Sequence, residues 1–313
     1  MPIDPRRLRV LRALADHGTV TAAGRALHLT PSAVSQQLAA LESEAGQDLL
    51  RRKGRRVWLT SAGELLVDHA TAVLAELDRA EARLAELGAG RLGRVRVAAF
   101  ASAIVQVVAP AVRHLRAHAP GITIQVRDAE GHDSLPMLLD GEIDIAITME
   151  HRALTALTAD DRTTRDPLYT EPFDAVLPPN HPAPGPTVSL TDLATDDWIA
   201  PAAGNPCRDV VLLACEHAGF APRITHTSDD FAAESALVDA GVGVALIPRT
   251  AAHGTRVLPV AGDPPTRRVF AAIRRGREDH PLISTVRAAL RTAAESMTDG
   301  PVRGDVVTPA GEG

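Results

Sequence analysis

Ser32, Ser35 and Gln36 are short polar side chains set along one side of T-P-S-A-V-S-Q-Q-L-A-A-L-E at 30 to 42. Groups of this kind exchange hydrogen bonds with base edges in the major groove of duplex DNA. A second set, Arg51, Arg52, Lys53, Arg55 and Arg56, surrounds Gly54 between the apolar runs Leu49-Leu50 and Val57-Trp58-Leu59. A basic turn so placed suits the phosphates beside a groove. The alternative reading of each stretch is a solvated surface. A third set, spread through the later chain, comprises Ser102, Ala103, Gly131, His132, Thr148, Asn205 and Asp229. These fall where short β-branched runs give way to helical ones, the places at which open α/β sheets take ligands.

The elements that must carry these groups can be read locally. Ala22, Ala23, Ala26 and Leu27 form one side of a short helix, and His28 with Leu29 makes the turn after it. Thr30 is an N-cap, and Pro31 suits the first helical position, where its missing N–H costs nothing. Val34, Leu38 and Leu41 recur at i, i+4 and i+7, so one stripe packs inward and the polar groups point out. The basic turn reads as a small hairpin, or wing. Ser61 and Glu64 then read as a capping box that opens a helix running to Leu87, before Gly88, Gly90 and Gly93. Along it Leu66, Ala70, Val73, Leu77, Ala80, Leu84 and Leu87 alternate in steps of four and three. That spacing keeps one seam toward a partner helix, with Asp68, Glu76, Asp78, Arg79, Glu81, Arg83 and Glu86 in water. At 1.5 Å per residue such a helix spans about 40 Å.

From about residue 94 the pattern becomes βαβαβ. Strands are expected at V-R-V-A-A from 95, I-T-I-Q-V from 122 and I-D-I-A-I from 143, with helices over 103–118 and 134–139. A second series follows, with strands at F-D-A-V-L from 173, W-I-A from 198, I-T-H-T from 224 and V-G-V-A-L-I-P from 242. Its helices are expected over 208–218 and 231–240. Strands V-L-P-V from 257 and V-F-A-A-I from 269 return the chain, and a helix over 282–296 closes it. Two half-domains joined by crossings near 166–170 and 263–268 are implied. Residues 298 to 313, rich in Gly and Pro, are expected to be a disordered tail.

Residues 4 to 66, with A-A-G-R-A-L-H-L-T-P-S-A-V-S-Q-Q-L-A-A-L-E and L-L-R-R-K-G-R-R-V-W-L-T-S-A-G-E-L-L, resemble the winged helix-turn-helix domain of LysR-type transcriptional regulators. The likeness extends more weakly through G-E-I-D-I-A-I at 141 to 147 and L-V-D-A-G-V-G-V-A-L-I-P at 237 to 248. It implies a winged helix-turn-helix head (1–60), a linker and dimerisation helix (61–90), and a two-lobed effector domain like periplasmic binding proteins (91–297). One lobe would hold about 91–168 and 268–297, the other about 169–267. The resemblance also implies that Pro31, Ser32, Ser35 and Gln36 face bases, that Arg52 and Lys53 lie on the wing, and that Ser102 leads the effector-binding residues. The position after the helix serine is commonly Arg in that family and is Gln36 here, which favours adenine over guanine as partner. The implied partners are promoter DNA, a second copy in a homodimer or homotetramer, and RNA polymerase. No cofactor is implied beyond a small-molecule effector, and helix N-termini around the cleft favour an anionic metabolite.

Charge distribution agrees with a DNA-binding head. Residues 1–60 carry ten Arg or Lys against five Asp or Glu, whereas the whole chain of 313 residues is −6, leaving −11 for the remainder. One end attracts a polyanion and the rest repels it. Aromatic side chains make up only 3%, which argues against base stacking as the mode of binding. Neither a leader nor a run of about eighteen apolar residues is present, so a cytoplasmic protein is expected. Cys207 and Cys215 lie eight apart, which is no metal spacing, and read as small buried thiols rather than the paired redox cysteines of some family members. His132 and His226 suggest a triad only on paper, because no G-x-S-x-G, H-E-x-x-H, P-loop or C-x-x-C motif accompanies them. A plain solute binder is the other alternative, and the basic head argues against it.

Overall fold

A computed structural model describes residues 3–53, 56–87, 92–150, 162–183 and 185–298. The head begins with a helix additional to those expected, α1 (Pro5–His17), capped by Asp4, whose carboxylate accepts from the Arg6 N–H at 2.9 Å. Its Leu8, Leu11 and Leu14 are buried with Ala23, Val34, Leu38 and Leu41 in one apolar core. Helix α2 (Val20–Ala26) follows with Thr19 as cap, then the turn, then α3 (Pro31–Ala45). His28 takes a left-handed φ of 54°, which lets the Leu29 N–H reach the Gly24 carbonyl at 2.7 Å. The wing is an antiparallel pair, β1 (Leu50–Lys53) and β2 (Arg56–Leu59), in which Arg51 opposes Trp58. The Gly54-Arg55 turn lies outside the described residues, as do the side chains of Arg52 and Lys53.

Helix α4 (Ser61–Leu87) has the expected length, but its cap sits one residue earlier than the Ser61–Glu64 pattern implies. The Thr60 hydroxyl accepts from the Gly63 N–H at 3.1 Å and donates to the Asp48 carbonyl at 2.7 Å, so the wing and the helix share one capping group. The expected seam also divides. Leu66 and Ala70 join the head core, while Val73, Leu77 and Leu84 are 42, 38 and 68% exposed and leave an open apolar stripe. Asp78, expected in water, instead faces Arg274 at 3.6 Å and Arg277 at 3.9 Å, and α4 lies so close to the body that Gly276 touches the Ala75 carbonyl. The side chain of Leu87, the glycines at 88 and 90, and the tail from residue 299 lie outside the described residues.

In the body, β3 (Gly93–Ala99) pairs in parallel with β4 (Ile122–Asp128) on one side and β5 (Ile145–Met149) on the other. The helix after β3 is composite: α5 (Ala101–Ala103), a π turn (Ile104–Val108) and α6 (Ala109–His118). Helix α7 (Gly131–Asp140) covers the opposite face through Leu135 and Leu138. Both crossings are single strands. The 15-residue β6 (Thr163–Leu177) runs antiparallel to β11 (Thr266–Arg274) with Tyr169 opposite Val269, and both pass from one half to the other. Beyond the crossing, β6 pairs with β9 (Ala245–Pro248) and β10 (Arg256–Pro259), while β7 (Asp197–Ala200) pairs in parallel with β8 (Arg223–Thr227). Helices α8 (Pro206–His217) and α9 (Phe231–Asp239) complete the second half, and α10 (Pro281–Thr298) returns to the first.

The head and the first half touch through α1. Arg12 donates to the Leu139 carbonyl at 3.2 Å, His17 pairs with Asp140 at 3.0 Å, and Asp16 pairs with Arg162 at 2.6 Å. Among the described residues no helix is long and apolar enough to cross a membrane. Gly24 is the tightest joint in the head's helical pair, since a Cβ there would sit 2.7 Å from the Leu29 carbonyl oxygen. Gly24→Ala is expected to destabilise the chain by about 1–3 kcal/mol in urea unfolding, with a parallel loss of duplex affinity in a retardation assay.

Candidate functional sites in the head and the interlobe cleft

The exposed side of α3 follows from its cap and its apolar stripe. The Thr30 hydroxyl accepts from the Ala33 N–H at 3.2 Å and shares a 3.0 Å hydrogen bond with Ser32. Val34, Leu38 and Leu41 are fully buried, so Pro31, Ser32 and Gln36 stand exposed and Ser35 half-exposed on the outer side. Arg51, at the start of the wing, is exposed as well. Two features escaped the sequence reading. Glu42 accepts the Leu49 and Leu50 N–H groups on one carboxylate oxygen, both at 3.0 Å, and so fastens the wing to the helix that precedes it. Arg6 and Arg7 share a shallow hollow with Gln36 and Gln37, and the Arg7 guanidinium is paired with Glu44 of α3. The P-R-R run after Asp4 was the available signal for basic side chains at this helix start.

The second site is a cleft of about 540 Å³ between the two halves. Ser102, Val105 and Gln106 come from the composite helix and Phe100 from the position before it, Asp128 from the end of β4, Glu130 from the loop that follows, and Met149 from the end of β5. Across from them stand Asn205, Cys207, Asp229, Asp230, Phe231 and the Thr250–His253 segment. Three of the seven expected residues line it: Ser102, Asn205 and Asp229. The other four do not. Ala103 is buried in the core behind the helix, Gly131 is buried at the first turn of α7, and His132 is exposed beside Asp133 at 3.6 Å. Thr148 is 1% exposed and alternates away from Met149, toward the α7 side of the sheet. The pleat decides that last case: of two successive residues at a strand end, one faces the cleft.

The floor of the cleft is a buried ion pair that no motif announced. Arg267 on β11 and Glu171 on β6 are 1 and 4% exposed and meet at 2.6 Å. Arg267 also donates from Nε to Glu171 at 2.8 Å and from Nη2 to the Ser102 hydroxyl at 2.9 Å, and it lies 4.9 Å over the Phe100 ring. Thr250 donates its N–H and hydroxyl to the second Glu171 oxygen at 3.1 and 2.7 Å. Burial works against the Arg267 charge, but Cys207, Glu171 and Tyr169 around it hold its pKa above the ordinary value.

Both thiols are protonated at neutral pH. Burial pushes Cys207 up to about 11 and Cys215 up to about 12. They lie on α8, where eight residues amount to about 12 Å, beyond the reach of a disulfide. On α9, Glu234 is fully buried and neither carboxyl oxygen has a hydrogen-bond partner; burial and the nearby Asp229 and Asp230 push it up to about 9. Among the described residues no group of His, Cys, Asp or Glu could hold a metal ion.

A winged helix-turn-helix joined by a long helix to a two-lobed α/β body defines a DNA-binding regulator. Residues 5–64 match the bacterial regulatory helix-turn-helix of the lysR family, and residues 88–295 match the LysR substrate binding domain. The chain belongs to the LysR family of transcriptional regulators: it carries a DNA-binding head and an effector-binding domain, and it is not an enzyme. A probable hydrogen peroxide-inducible genes activator of Mycobacterium avium is 32% identical over 78% of this chain and 77% of its own. The Bacillus subtilis regulator AlsR is 29% identical over 79% of this chain and 80% of its own. Among solved structures, a full-length OxyR variant from Pseudomonas aeruginosa superposes with a TM-score of 0.63 at 23% identity, covering 93% of this chain and 95% of that one. Full-length CbnR complexed with its target DNA gives 0.54 at 22%, covering 93 and 100%.

Two outcomes follow from the buried groups. Arg267→Met leaves the Glu171 carboxylate unpaired and is expected to cost about 3–5 kcal/mol in denaturant unfolding, most of it recovered when Glu171 is also replaced by Met. Glu234 is protonated in the folded state up to about pH 9 but ionises near its ordinary value once unfolded. Its contribution is therefore complete in acid and drains away as pH rises toward 9. Glu234→Gln should raise stability at pH 8 by on the order of 2 kcal/mol and have little effect at pH 4.5, as read by thermal unfolding across that range.

Proposed function

We propose that the outer side of α3 reads an operator in the major groove through Pro31, Ser32, Ser35 and Gln36, with the Thr30 turn beside it. Arg51, Arg52, Lys53 and Arg55 of the wing then hold phosphates, joined by Arg6 of α1. The carrying observation is that this polar side is left in solvent by a helix whose opposite stripe is fully buried. The open stripe of Val73, Leu77 and Leu84 supports a homodimer built on α4, and the family analogy a homotetramer. Pairing puts two heads on an inverted repeat, since a two-fold protein matches a two-fold site.

The effector enters the interlobe cleft and closes it. Helix α7 supports a route from there to the DNA: its first turn borders the cleft at Glu130, and its last turn meets the head through Leu139 and Asp140. Binding thereby alters the placement of the heads, the bend of promoter DNA and the access of RNA polymerase, in the cytoplasm. Peroxide sensing, which the name of the Mycobacterium avium relative suggests, is not favoured, because both thiols are buried, protonated and too far apart to bridge.

The deciding measurement is retardation of duplex DNA from the gene's own upstream region over a range of salt. A regulator loses affinity steeply as salt rises; a solute binder retards nothing. Within that assay, Gln36→Ala should change which sequences bind, while Arg52→Ala should weaken all of them similarly and reduce the salt slope by about one. Uniform weakening by Gln36→Ala would assign the base-reading role elsewhere.

A further inference from the structure

We infer that the effector of the cleft is an organic cation: a small molecule with a protonated amine that bridges the acidic rims of the two lobes and an apolar body that lies on Phe231, Val105 and Met149. The inference rests on the proposal that this cleft is the effector site, and it replaces the anionic metabolite expected from helix N-termini alone. Two of those N-termini are already served by the chain's own side chains: Asp230 caps α9, accepting from the Ala232 N–H at 2.7 Å, and Asn205 caps α8, accepting from the Cys207 N–H at 2.9 Å. At the third, that of α7, Glu130 holds the N-cap position without a capping hydrogen bond, so a carboxyl group stands where an anion would approach. A bound anion would meet carboxylates where open N–H groups were anticipated.

The charges around the cavity are one-sided. Asp128 and Glu130 line it from one lobe, Asp229 and Asp230 from the other. The single guanidinium in the lining, Arg267, is already matched by Glu171, so four carboxyl groups remain against one imidazole, His253. Asp229 accepts from the Ala202 N–H and from Asn205, at 2.9 and 3.0 Å, and Asp230 is used as a cap; all three donors are neutral and bring no compensating charge. Glu130 makes no capping hydrogen bond; burial raises its pKa, against the pull of His132 and Arg267, and Asp229 and Asp128 add to the rise.

Carboxylates facing one another across a gap hold the lobes apart, and a cation between them removes that repulsion. A carboxylate ligand would add to it. The apolar half of the ligand has its own surface, for Val105 is 66% exposed on the π turn and projects into the cavity. Turns of this kind are frequent at functional sites.

The test uses the full chain and three probes of nearly one shape: 2-phenylethylamine, 2-phenylethanol and 3-phenylpropionate, with binding measured by calorimetry at low and moderate salt. The amine is expected to bind about tenfold more tightly than the alcohol or the carboxylate, to weaken as salt rises, and to lose about tenfold in affinity in the double variant Glu130→Gln with Asp128→Asn. Neither of these side chains has a hydrogen bond or ion pair within the fold among the described residues, so the variant should keep its thermal stability. Val105→Trp, which fills the cleft from an exposed position, should abolish binding. A carboxylate that binds as tightly as the amine and is blocked by Val105→Trp would overturn the charge assignment and leave the cleft as the site. Amine binding unchanged in the double variant would overturn it as well. Binding that survives Val105→Trp, or no binding by any probe, would remove the cleft itself as the effector site.

Discussion

The Arg267–Glu171 pair is the constraint around which the body is arranged. Its two members come from β11 and β6, the strands that carry the chain between halves, and each reaches beyond its partner: Arg267 to Ser102 in one half, Glu171 to Thr250 in the other. Removing two charges from water is costly unless every remaining donor and acceptor is satisfied. The surrounding hydroxyls and the Phe100 ring meet that condition and at the same time fix where the halves meet. A neutral core at this point would pack equally well with several placements of one half on the other; the forked geometry of a guanidinium and a carboxylate accepts few.

Above that floor the cleft is divided between rigid and adjustable parts. Gln106 donates to the Thr250 carbonyl at 2.9 Å, and the Cys207 thiol touches the Met149 sulfur at 3.7 Å, so the two walls are already in contact low in the cleft. The carboxyl groups of Asp128, Glu130, Asp229 and Asp230 line the same cleft from both walls.

Much of this architecture was legible from local signals. The Thr30-Pro31 start, the buried stripe of α3, the wing and the strand-helix alternation of the body each follow from short-range chemistry, and each stands near where the spacing places it. What escaped was tertiary. Helix α1 is the exception, because the Asp4-Pro5 start and the stripe of Leu8, Leu11 and Leu14 are local signals of it; the seam on α4 divided because half of it found partners in its own head. In the cleft, position after a strand identified Ser102, Asn205 and Asp229, but pleat direction and helix phase turned Ala103 and Thr148 inward. Arg267 and Glu171 lie 96 residues apart, and a pair at that separation has no signature along the chain.

Glu42 has a consequence for specificity. One carboxylate on the reading helix receives two successive amides at the root of the wing, so neither element can rotate about its own axis without breaking a charged hydrogen bond in the other. In the proposed docking, α3 and the basic hairpin therefore meet DNA as a single die with a set spacing between its teeth. Discrimination on that footing rests on bases and backbone coming into phase together, so an altered helical twist counts against a site as wrong letters do.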